Sequence, residues 1–74
     1  MRGDLTIGID VMDSEGRILA HVYGSVSDQV PEVEITFLRA PIEIIEKNYD
    51  KIHTTKSYVQ KLLDEWLEKP MHLS

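Results

Sequence analysis

Residues 5–12 alternate. Leu5, Ile7, Ile9 and Val11 fall on one side of an extended chain, and Thr6, Gly8, Asp10 and Met12 on the other. A period of two with β-branched content is the mark of a half-buried strand. Such a strand needs a neighbour to satisfy its backbone and a layer to cover its apolar side, so the rest of the chain must supply both. Asp13-Ser14-Glu15-Gly16 then reads as a turn, with Asp suited to the first position and Gly to the left-handed one. Residues 17–26 resume the alternation: Ile18, Ala20, Val22, Gly24 and Val26 share one side, Leu19, His21, Tyr23 and Ser25 the other. This is the second strand of a hairpin, and it is apolar on both faces.

Two signals disagree about the hairpin register. The turn chemistry pairs Asp13 with Arg17 and sets Ile9 opposite His21, whereas the hydrophobic pattern sets Ile9 opposite Ala20 and Ile7 opposite Val22. A one-residue slip sends every side chain to the other face. A β-bulge reconciles the two, and both registers remain open on the sequence.

Residues 27–31 (Ser-Asp-Gln-Val-Pro) read as a connection, and residues 32–39 as a third strand. Val33, Ile35 and Phe37 lie on one side, Glu34, Thr36 and Leu38 on the other, with Glu32 and Glu34 guarding a solvated edge. Pro41 suits the first position of a helix, after which Ile42, Ile45, Tyr49 and Ile52 form an apolar stripe over residues 41–52. The competing reading extends the third strand through Ile42-Glu43-Ile44-Ile45, past a proline bulge. His53-Thr54-Thr55-Lys56 reads as a polar joint. Ser57-Tyr58-Val59-Gln60 matches a capping box, opening a helix over residues 58–69 that Pro70 stops, with residues 71–74 as a loose tail.

The predicted fold is therefore α+β, with two layers: a three-stranded antiparallel meander followed by two C-terminal helices, in one small domain over residues 1–74. Its expected core holds Ile7, Ile9, Val11, Val22, Ile35, Phe37, Ile45, Tyr49, Leu62, Leu63 and Trp66.

Composition narrows the chemistry. The 74 residues include no cysteine, which excludes a disulfide scaffold and a thiolate zinc site. A core this small supplies only about 3–5 kcal/mol, a reason to expect a partner chain. Thirteen acids against eight bases give a net charge of −5. Seven of those acids and only three of the bases lie in residues 1–40, so no basic stripe exists to neutralise phosphates and direct nucleic-acid binding is disfavoured. No run is apolar enough to span a bilayer, and the opening residues lack the layout of a signal peptide, so the expected location is the cytoplasm and no membrane is involved. No cofactor is implied, since the four glycines never form a phosphate cradle. No metal site is implied either: His21, His53 and His72 are isolated, and Asp10, Asp13 and Glu15 fail the EF-hand spacing because residue 22 is Val. Gly8 and Gly24, both inside strands, mark either bulges or places where another backbone docks.

The stretch Leu5-Thr6-Ile7-Gly8-Ile9-Asp10, with its turn and second strand, resembles the opening hairpin of the RNase H and actin-like superfamily. The resemblance implies a role for Asp10 in holding a catalytic metal or a phosphate. It covers about twenty residues and one carboxylate, and the chain has no length for the remaining sheet and acids, so the activity is not carried over.

One covering layer cannot hide a middle strand that is apolar on both sides. An exposed apolar strip near Leu19, Tyr23 and Leu38 is expected, rimmed by Asp28, Glu32 and Glu34, with Tyr58 as a further anchor. The sequence thus points to a small acidic, non-enzymatic protein-binding module. It would dock on a basic, nucleic-acid-binding surface of a partner protein, as phage anti-defence inhibitors and some antitoxins of this size and charge do. The first alternative is an accessory subunit that pairs with itself through the sheet as a homodimer. The second is a small acid–base enzyme using Asp10 and His21.

Overall fold

Asp13 builds the first hairpin turn much as its chemistry predicts. Its backbone N–H donates to the Arg17 carbonyl at 2.9 Å, and Gly16, at φ +85°, donates to the Asp13 carbonyl. The Asp13 Oδ1 atom accepts from the N–H groups of both Glu15 and Arg17, at 2.9 Å each. These bonds, that from Arg17 first, hold the Asp13 carboxyl below its ordinary range. The computed structural model describes residues 4–68. In it this turn joins β1 (Leu5–Met12) to β2 (Ile18–Ser27), followed by β3 (Val30–Phe37), α1 (Ile42–Lys47) and α2 (Tyr49–Glu68). The three strands form an antiparallel sheet in the order β1-β2-β3, with the helices C-terminal to it, so the α+β meander is as expected.

The register conflict is resolved by a bulge. Met12 still pairs with Ile18, but Val11 pairs with Ala20, leaving Leu19 as the extra residue. Beyond it Ile9 lies opposite Val22 and Ile7 opposite Gly24, a register neither sequence signal gave. The bulge also corrects the two-faced reading of β2. Two consecutive residues oppose one there, and Leu19 and Ala20 are both fully buried, Ala20 in the main core cluster and Leu19 outside it. Leu19, expected on an exposed strip, has no surface at all.

The second hairpin is tighter than expected. Asp28 and Gln29 alone form its loop, with φ of 52° and 66°, and Ser27 pairs directly with Val30. Positive φ at both central residues is what a two-residue type I′ turn requires. Strand β3 therefore starts at Val30, two residues before the expected position, and Val30 and Pro31 belong to it rather than to a connection. It ends at Phe37, leaving Leu38 beyond the strand, half-buried, with its N–H donating to the Leu19 carbonyl at 2.9 Å.

Helix α2 runs unbroken through residues 53–56, so the expected joint and the helix start at Ser57 are both wrong. Ile52, Val59 and Leu63 are its buried residues, each worth roughly 1.5–3 kcal/mol relative to exposure. Ile52 and Val59 stand seven residues apart, so a single helix aims both at the sheet, and that burial overrides the polar local signal. Thr55 Oγ1 donates to the Lys51 carbonyl, satisfying the hydroxyl within the helix. The interruption falls instead at Asn48. Its backbone N–H bonds the carbonyls of Ile44 and Ile45, its side-chain amide also donates to Ile44, and its carbonyl accepts from Ile52 N–H. Pro41 precedes α1 as its cap rather than occupying the first helical position.

The core cluster gathers Val11, Ala20, Val22, Val26, Ile52, Val59 and Leu63, with Ile7, Ile9, Ile35, Ile45 and Trp66 among the half-buried residues packed against it. Phe37 and Tyr49, expected inside, are 50% and 55% exposed. Phe37 is the last residue of an edge strand, and the break at Asn48 turns the Tyr49 end of the predicted stripe outward, where its ring stacks on His53. Gly24 is neither a bulge nor a docking point for a partner: it is where α2 meets the sheet. A Cβ there would lie 2.5 Å from Val59 Cγ1 and 3.2 Å from Leu63 Cδ1. Gly8, by contrast, has nothing within 4 Å of that position. The expected tail at residues 71–74 and the stop at Pro70 lie outside the described residues.

Candidate functional site

Helix α2 covers one face of the sheet and leaves the other open. Side chains alternate along each strand, so the pairing register dictates what the open face presents. Three cross-strand rows result: Thr6, Ser25 and Glu32; Gly8, Tyr23 and Glu34; Asp10, His21 and Thr36. Tyr23, 46% exposed, stands at the centre as the one large aromatic among them. The strands carry Asp10, Glu32 and Glu34 and neither Lys nor Arg. Arg17 and Arg39 sit in connections, and Lys47, Lys51, Lys56 and Lys61 all ride on the helices. The helices offset these lysines with six acids, Glu43, Glu46, Asp50, Asp64, Glu65 and Glu68, whereas the charged side chains of the open face are acidic apart from His21.

Asp10 and His21 are direct cross-strand partners, and the imidazole Nδ1–H donates to Asp10 Oδ1. Both side chains are about half-exposed, 48% and 47%. The pair is the acid–base couple anticipated from the sequence, but it lies on an open sheet surface with no walls to orient a substrate. The metal role that the RNase H-like resemblance implies for Asp10 does not fit: its carboxylate is engaged by His21, and among the described residues no three His, Cys, Asp or Glu side chains converge to hold an ion.

The residues expected to bind a partner divide accordingly. Tyr23, Glu32 and Glu34 come together on the open face, and Asp28 stands at its end, in the β2–β3 turn. Leu19 is sealed and Leu38 half-buried, so of the expected strip only Tyr23 is exposed, while Met12 and Ile18 at one end of the open face and Val30 at the other are exposed apolar residues that were not anticipated there. Tyr58, though 54% exposed, belongs to the helix layer on the far side of the sheet and cannot share a surface with Tyr23. Thr6, Gly8 and Asp10 complete the surface and were not anticipated as part of it. The signal that finds them is the alternation of β1 itself, once the strand is paired beside β2. A concavity of about 320 Å³ lies between β3 and α2, lined by Pro31, Val33, Gln60, Leu63 and Asp64. Among the described residues no helix is long and apolar enough to cross a membrane.

Comparison of the chain with protein-family models, with curated proteins and with solved structures returned no match.

Proposed function

We propose that this chain is a small acidic protein-binding module without enzymatic activity, and that its open sheet face docks on a basic surface of a partner protein. The observation that carries the reading is the unbalanced charge of the open face: Asp10, Glu32 and Glu34 surround an exposed Tyr23 on strands without a single Lys or Arg. Tyr suits a docking anchor because it brings a large rigid contact area and a polar tip. Glu32 and Glu34 are one side-chain repeat apart, about 6.6 Å, and present a short regular row of negative charge. A surface built to receive phosphates is the natural complement, so the favoured partner is a nucleic-acid-binding protein whose site the module occupies, as an inhibitor does. Complementary charge speeds association and makes it sensitive to salt.

The test is affinity capture of a partner, its identification by mass spectrometry, and titration of the purified pair at low and high salt. Binding is expected to weaken as salt rises, and Glu32→Lys with Glu34→Lys is expected to abolish it while Tyr23→Ala weakens it. Binding that is indifferent both to salt and to this charge reversal overturns the reading.

A further inference from the structure

The sheet has two edges, and they are not equivalent. The Leu38 N–H to Leu19 C=O bond fixes which residues of β2 bond to β3, and strict alternation then assigns the rest. His21, Tyr23 and Ser25 bond to β3, while Val22, Gly24 and Val26 bond to β1. It follows that Leu5, Ile7 and Ile9 spend their backbone groups inward, and Thr6, Gly8 and Asp10 direct theirs out into solvent. On β3 the outward set is Pro31, Val33 and Ile35. Pro31 has no N–H to offer, and self-pairing centred on Val33 would set Glu32 against Glu34. The β3 edge is blocked twice over. The β1 edge has no proline, no lysine and no bulge between Leu5 and Asp10, and Gly8 at its middle leaves open space.

We infer that β1 pairs antiparallel with β1 of a second copy, about a two-fold axis at Gly8, to give a closed dimer with one continuous six-stranded sheet. The segment is self-complementary in that register. The N–H groups of Thr6, Gly8 and Asp10 donate to the carbonyls of Asp10, Gly8 and Thr6 of the second copy. On the core side Ile7 meets Ile9 and Leu5 meets Val11; Leu5, Ile7 and Ile9 are only half-buried in one copy, because α2 lies chiefly over β2 and β3. On the open side Asp10 meets Thr6, keeping the two Asp10 carboxylates about 13 Å apart, beyond the screening length of about 10 Å at 0.1 M salt. The blocked β3 edges stop growth at two copies. Area argues the same way. The open face of one copy measures roughly 14 Å by roughly 25 Å, well short of the about 800 Å² that a standard interface buries on each partner, and pairing doubles it.

The experiment is light scattering with size-exclusion chromatography on the purified chain, from about 10 μM to about 1 mM. A mass of twice 8.5 kDa is expected at the upper end. Gly8→Pro removes an N–H that no bond within the chain uses, and it is expected to give a monomer with an unchanged circular dichroism spectrum. Should that variant fail to fold, amide exchange on the unaltered chain decides: Thr6, Gly8 and Asp10 are expected to be protected at high concentration and to exchange freely at low. A monomer throughout, a dimer that survives Gly8→Pro, free exchange at those three amides at high concentration, or open-ended assembly each overturns the inference. The measurement uses the chain alone, so its outcome is independent of whether a basic partner exists.

Discussion

The contact between Gly24 and α2 can be tested by adding one methyl group. In Gly24→Ala the new Cβ would stand 2.5 Å from Val59 Cγ1 and 3.2 Å from Leu63 Cδ1. Ordinary carbon contacts begin near 3.5 Å, so roughly 1 Å must be found. Val59 cannot rotate away cheaply, because a β-branched side chain in a helix has essentially one rotamer. The helix itself must lift, and overpacking of this kind costs about 1–3 kcal/mol. Against that, replacing Gly lowers the entropy of the unfolded chain and returns about 0.4–1 kcal/mol. A net loss of about 1–2 kcal/mol follows, and with a urea m-value of about 1 kcal/mol/M for a chain this short the midpoint falls by about 1–2 M. Urea unfolding followed by Trp66 fluorescence and far-ultraviolet dichroism measures it. Gly8→Ala is the control, since its Cβ meets nothing within 4 Å, and that variant should be unchanged or slightly more stable. Combining Val59→Ala with Gly24→Ala should cost about 1 kcal/mol less than the sum of the two single losses. Equal midpoints for the two alanine variants would refute the claim that the absent side chain at Gly24 sets the distance between the layers.

Other perturbations address separate elements. Tyr58→Pro distinguishes a continuous α2 from a helix that begins at residue 58: proline is welcome at a first position, but inside a helix it costs about 3 kcal/mol, and the loss of most thermal stability is the expected result. Gln29→Gly relieves a left-handed residue, at φ 66° in the β2–β3 turn, and should raise stability by about 0.5–1 kcal/mol in the same urea assay. Asp13 supplies a pH dependence with a definite sign. Its folded-state pKa is lowered, chiefly by the Arg17 N–H, so its contribution is fully present above the unfolded value near 3.8 and is lost as pH falls below that. Asp13→Asn should flatten that part of the acid-unfolding profile while leaving the profile above about pH 5 unchanged in shape.

Local chemistry in the sequence determined a good deal of this molecule. The alternation of Leu5 to Val11 fixed the covered face of β1, the Asp13 and Gly16 turn formed with the Asp13–Arg17 pairing its residue types demand, and Glu32 and Glu34 came out on the solvent side. These are decided by neighbours in the chain, through side-chain period and turn geometry. What only the tertiary structure decided involves contacts between distant residues. Leu19 is buried because a bulge forms where a turn register and a hydrophobic register must be reconciled, and that compromise exists only once β1 and β2 are paired. The capping-box sequence at Ser57 lies inside a helix because Ile52 and Val59 gain more by facing the sheet together than a cap would contribute. The acidic open face is likewise a tertiary product: Asp10, Tyr23 and Glu34 are scattered along the chain, and the pairing of three strands gathers them on one surface while α2 claims the other.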